Sequence, residues 1–312
     1  MVAALLCASV PVVAQPRVKG ISDQRALAFS ADGDHMVLGY DAGGVGHVAV
    51  YSTKSRYREP VQMPALAAPL AFAGFTAAGS MVVGADTGGV LVVWTIDGHE
   101  VFRTDVRKAK KAEVDVAFAA NPAAPYVAWV ARPKGSPDGT LEIARVPGGQ
   151  VVTSATKVTA TNLRWTMQGG HLLLGGAAMN WDTLETWRPK VPGVAETSSD
   201  GTRVVSTSPD ACDGFLTIAE LGNGKVLRSV PLADVSCPRW VWFSHGDRGL
   251  VWVSAAGKGE KRRFVVQSWD EHRDRQKVVK KLAAEPVAAA ITPDRKMLAV
   301  TDGKDVTYIW LR

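Results

Sequence analysis

Short apolar runs broken by tight turns recur along the whole chain. Each copy holds a short apolar strand, a turn, and a second apolar strand that runs into glycines. A third strand follows and ends, in several copies, on an aromatic residue. The turns fall at Ala31-Asp32-Gly33, Ala77-Ala78-Gly79, Asn121-Pro122, Gln168-Gly169-Gly170, Ser199-Asp200-Gly201, His245-Gly246-Asp247 and Pro293-Asp294-Arg295. Second strands such as Met36-Val37-Leu38-Gly39 and Met81-Val82-Val83-Gly84 are nearly continuous apolar runs, the pattern of a strand covered on both faces. Outer strands are more polar and admit proline, which belongs on an edge because it donates to no ladder. No apolar stripe of helical period is sustained.

The third strands end at Tyr51, Trp94, Ala144, Trp181, Ala219, Trp269 and Trp310, an average spacing of about 43 residues. Four short strands with their turns need that many residues, which predicts an all-β fold, a seven-bladed β-propeller. Two packed sandwiches are the competing fold. The expected blades cover roughly 23–63, 67–106, 112–155, 158–190, 193–231, 236–282 and 285–312. The last lacks a fourth strand, and residues 17–22 are expected to supply it, closing the ring and hiding its open edges.

Phe29-Ser30-Ala31-Asp32-Gly33, Val92-Val93-Trp94, Trp181-Asp182 and Trp269-Asp270 carry a resemblance. With these marks the chain resembles WD-repeat-like bacterial β-propellers over nearly all of residues 15–312. Only two units hold the Trp-Asp pair, and no Gly-His pair precedes a first strand, since Gly46-His47 and Gly98-His99 sit in other turns. The resemblance therefore implies a fold and a scaffold role, and carries over neither the family's hydrogen-bond network nor an activity.

Composition adds little. The chain has 312 residues, 46% hydrophobic and 21% charged, ample for a large core. A net charge of +6 biases it towards anionic partners, but no basic stripe dense enough for nucleic acid is read. No apolar run approaches the length of a membrane-spanning helix. Residues 1–14 are apolar and small, with Val12 and Ala14 placed for cleavage after Ala14, which reads as an export signal lacking its charged start. This predicts a periplasmic or secreted protein, with a cytoplasmic one as the alternative. Once Cys7 is removed, Cys212 and Cys237 remain, on one face of adjacent blades. A disulfide between them is expected to stabilise by about 3 to 4 kcal/mol; two free thiols are the competing reading.

Propeller connections between blades, and between second and third strands, emerge on one face. Two basic clusters map there: Arg107, Lys108, Lys110 and Lys111, then Lys258, Lys261, Arg262 and Arg263. They suggest docking of an acidic protein, against the reading of solvated loop charge. Aspartates recur nearby at Asp41, Asp86, Asp138, Asp213 and Asp302. Asp41 and Asp86 are candidates for a channel-mouth cation, although an Asp before Gly ordinarily caps its own turn. Six histidines show no metal-ligand spacing, and nucleophile-elbow, haem and phosphate-loop motifs are absent. The ten tryptophans fall at repeated strand positions and are expected in the core. The expected function is a cofactor-free, non-catalytic protein-interaction scaffold of the bacterial cell envelope. A propeller hydrolase or lyase using a divalent cation is the alternative.

Overall fold

Each apolar repeat folds into one antiparallel sheet whose strands lie side by side in chain order. The structure, a computed structural model, describes residues 21–55, 59–110, 113–160, 163–187, 193–207, 214–232, 236–256 and 263–311. Blade one holds β1 (Gln24–Phe29), β2 (His35–Ala42), β3 (Val45–Ser52) and β4 (Val61–Gln62). Blade two holds β5 (Leu70–Thr76), β6 (Met81–Asp86), β7 (Val90–Thr95) and β8 (Glu100–Asp105). Blade three holds β9 (Val114–Ala120), β10 (Tyr126–Pro133), β11 (Asp138–Arg145) and β12 (Val151–Thr159). Blade four is minimal: β13 (Arg164–Trp165), β14 (His171–Leu173), β15 (Ala178–Asn180) and β16 (Thr186–Trp187). Blade five holds β17 (Val194–Thr197), β18 (Arg203–Thr207), β19 (Phe215–Glu220) and β20 (Val226–Pro231). Blade six holds β21 (Ser236–Phe243), β22 (Gly249–Ala256), β23 (Arg263–Asp270) and β24 (Arg275–Leu282). Blade seven shows β25 (Ala288–Ile291), β26 (Met297–Thr301) and β27 (Val306–Trp310).

The repeat therefore builds seven sheets, as its period predicts. First strands line the axis, and β1 neighbours both β5 and β25, so the ring is closed. Turn chemistry fixes the registers. In blade one the pairing runs from His35↔Ser52 to Ala42↔Val45 around Gly43-Gly44, both at positive φ (60° and 81°). A two-residue hairpin of that hand needs such residues.

Packing follows one rule: every junction between neighbouring blades holds its own apolar cluster. Trp94 and Val82 join blades one and two, Trp129 and Leu91 blades two and three, and Trp165 and Leu141 blades three and four. Trp252 and Leu216 join blades five and six, and Trp242 and Leu298 blades six and seven. Tyr308 and Met36 join blades seven and one. Each such side chain, fully buried, contributes about 1.5–3 kcal/mol. The junction of blades four and five is the leanest of the described clusters, with Leu173, Ala178, Val204, Ala219 and Leu221 alone.

Seven turns between first and second strands form a belt on one face. A hydroxyl opens several of them and accepts an amide five residues on: His35 N–H to Ser30 Oγ at 2.9 Å, Arg203 N–H to Ser198 Oγ at 2.9 Å, and Met297 N–H to Thr292 Oγ1 at 3.1 Å. Neighbouring turns then bond to each other. Thr76 Oγ1 donates to the Ala124 carbonyl at 2.8 Å, Asn121 Nδ2 to that of Gly169 at 3.0 Å, and Gln168 Nε2 to that of Ser198 at 2.9 Å. The Ser199 amide donates to Asp247 Oδ2 at 2.7 Å, and the Arg295 guanidinium to Asp247 Oδ1.

Two expectations meet the structure differently, and a third lies mostly outside the described residues. The segment after β8 is a one-turn helix, α1 (Val106–Lys110), where a plain loop is expected. Trp310 is 54% exposed, unlike the equivalent Trp94 and Trp269, because β27 is the outermost described strand of its blade. The expected fourth strand of blade seven falls mainly on residues outside the described ones. Next to it, Ile21 packs into the junction of blades seven and one. Gln24, 1% exposed, donates from Nε2 to the carbonyls of Ile21 and Lys304, both at 2.9 Å, and so ties blade seven to the start of blade one.

Candidate functional site: the loop face and the central channel

The face opposite the belt carries the connections between blades. On it, α1 is anchored by buried Val106 and capped by Asp105, whose Oδ1 accepts the Lys108 amide at 2.9 Å. Arg107 lies across Gly89, where a Cβ would meet its Cγ at 2.6 Å, so its stem is packed while Lys108 stands exposed. Gly89 has φ +94°, which an L side chain rarely adopts, so the close approach and the turn both call for glycine. Arg263 opens β23 and is exposed. The Lys110 side chain, Lys111, Lys258, Lys261 and Arg262 lie outside the described residues, as does Cys212. Cys237 stands in β21 opposite Ala255, its side chain also outside them.

The channel is a cavity of about 620 Å³ lined by residues in or beside the first strands of all seven blades, among them Leu27, Ala71, Ala117, Leu163, Ala195, Val241 and Ala289. Small side chains dominate because the strands converge here. Phe72, Phe118 and Trp240 add aromatic surface, and the charged residues in the wall are Arg164 and Arg239. Arg164 Nη2 lies 3.6 Å from Glu196 Oε2, a carboxylate that is almost fully buried and also accepts the Thr197 amide at 2.9 Å. Arg239 pairs with Glu285, donates to the Pro286 carbonyl at 3.1 Å, and covers the Phe264 ring. Neither arginine stands out in the sequence. Arg239 falls at a register shift between Pro238 and Trp240, and such bulges are not marked by composition.

Asp41 and Asp86 serve turns and junctions. Asp41 Oδ1 accepts the Leu70 amide of the next blade at 2.7 Å, and its Oδ2 lies 3.3 Å from Arg25 Nε. Asp86, 1% exposed, accepts the Val90 amide at 3.0 Å. Asp138 accepts from the Thr159 hydroxyl at 2.5 Å, and Asp302 from the amides of Lys304 and Asp305, both at 2.9 Å. Among the described residues no three His, Cys, Asp or Glu side chains gather as a metal site would require.

A second cavity, about 810 Å³, opens between blades four and five, beside their lean apolar cluster. Its wall includes His171, Asn180, Glu185, Arg203, Glu220 and Asn223. Burial pushes the His171 imidazole below its ordinary pKa, favouring the neutral ring. No helix among the described residues is long and apolar enough to cross a membrane.

No protein-family model matches the chain, and no curated protein matches it in sequence. Solved structures do match it. The β-propeller domain of Myceliophteria thermophila Cps50 (Swd1) is similar, with TM-score 0.67, 12% identity, and coverage of 95% of this chain and 99% of that one. In all, 1335 solved chains show significant likeness, so the comparison fixes an architecture and selects no activity. The chain has the fold of a seven-bladed β-propeller.

Proposed function

We propose that this propeller is a non-catalytic interaction scaffold of the bacterial cell envelope that holds an acidic protein on its loop face. The observation that carries the reading is the contrast between its two faces. One is tied off by turn-to-turn hydrogen bonds around the belt. The other presents the exposed Lys108 of α1 and a channel whose wall carries arginines as its charged groups. Positive charge around a concave mouth attracts and orients an acidic partner more than it adds affinity. The small, apolar residues 1–14 support export, and the basic residues 107–111 and 258–263 support the choice of face.

The test is capture from the protein's own cells with and without charge reversal at Lys108, Lys110 and Arg262. The reading requires an acidic envelope protein that co-purifies with the wild type and is lost with the triple variant. Equal capture by both discards it. A stoichiometric divalent ion in the purified protein, lost on Asp86→Asn, would favour the hydrolase or lyase alternative instead.

A further inference from the structure

We infer that blade six carries a second docking surface, distinct from the loop face, built on β24 for an extended acidic peptide. β24 reads Arg-Gln-Lys-Val-Val-Lys-Lys-Leu, four cations and no acid in eight residues. Other outer strands differ: β8 balances Arg103 against Glu100 and Asp105, β12 has Lys157 alone and β20 Arg228 alone. Some cations on neighbouring elements are matched, as Arg228 is with Asp274 at 2.8 Å and Lys296 with Asp294 at 4.0 Å. Arg275, Lys280 and Lys281 are exposed and form no ion pair among the described residues. β24 is also the outermost described strand of its sheet, with β23 as its ladder neighbour.

Beside it runs a groove of about 340 Å³ between blades six and seven. Val279 and Leu311 supply apolar surface over the buried Val251 and Trp269, while Arg248 and Lys277 supply charge beside Lys296, whose Nζ lies 4.0 Å from Asp294 Oδ2. The one carboxylate in this wall, Asp270, is occupied by the His272 and Arg273 amides at 3.0 and 3.1 Å.

These features select a peptide over other anions. An added strand pairs with an outermost strand through its main chain, which a nucleic acid or a lipid headgroup does not do. The apolar floor takes an alternate side chain of that strand, and the lysines take its carboxylates. Lysines on an edge also repel a second copy of the same edge, so one set of charges rejects self-pairing and admits an acidic strand. The eight residues of β24 span roughly 26 Å, matching a partner of about eight to ten residues.

A ten-residue peptide alternating Glu with Val is titrated calorimetrically into the full chain, with backbone amide exchange followed in parallel. Binding is expected, with slowed exchange at β24 and affinity falling several-fold between 0.1 and 0.5 M salt, roughly the range over which surface charge is screened. Lys280→Glu with Lys281→Glu should weaken it at least about tenfold, and the neutral pair Lys280→Gln with Lys281→Gln by less. Both pairs are solvent-exposed, so their melting curves should match the wild type. Charge reversal at Arg107 and Lys108 should change nothing, which separates this surface from the loop face. Undiminished binding to the Glu variant overturns the inference. So does absence of binding, a complex that leaves β24 exchange unchanged, or equal affinity for a ten-nucleotide oligothymidylate.

Discussion

Arg295 and Asp247 form a buried ion pair between the turns of blades seven and six, with side chains 4% and 8% exposed. Both backbones sit in the left-handed region, at φ 57° and 55°. The guanidinium also donates to the Thr197 carbonyl at 3.0 Å, and the carboxylate also accepts from Ser199, so the pair ties three consecutive blades. Removing the cation strands a desolvated carboxylate. Arg295→Ala should lower unfolding free energy by about 3–5 kcal/mol in urea titrations. A loss below about 1 kcal/mol would show that the belt contributes little.

Gly84 lies where a Cβ would meet Trp94 Cζ3 at 2.7 Å, Cη2 at 2.9 Å and Val48 Cγ2 at 3.2 Å. Trp94 and Val48 are both buried in the junction of blades one and two, so neither has room to retreat. Gly84→Ala should destabilise by about 1–3 kcal/mol through overpacking, measured as a shift in denaturation midpoint at unchanged slope.

Acid should weaken the fold in two separable stages. His171 has a folded pKa below its unfolded 6.5 because burial disfavours the charged ring. Its contribution is complete above pH 6.5 and is lost as pH falls through the lower folded value. The Ser198 hydroxyl and Thr202 amide hold Asp200 down to about 2, so its contribution is present above about 4 and is lost between there and about 2. Melting temperature against pH should show both declines. His171→Gln should remove the first, and Asp200→Asn the second.

Much of the fold was legible because its signals are local. Turn residues and apolar runs lie within a few positions of each other, and repeating them at a fixed period leaves few ways to bury each face. The same locality misled at Trp310, whose exposure depends on what covers β27, and it gives no sign that the Arg107 stem packs on Gly89. The loop-face cations were visible as clusters in the sequence, whereas Arg164, Arg239 and the belt were not. Belt partners such as Thr76 and Ala124, Asn121 and Gly169, or Asp247 and Arg295 stand 48 residues apart. Nothing in either residue's neighbourhood announces the other.

By itself the sequence determined the number of blades, the strand order within each and the turn that begins every second strand. Those follow from periodicity and backbone chemistry, which act over a few residues. Tertiary structure alone decided which charges meet and which are buried, because burial and pairing arise only when the ring brings distant turns and strands into contact.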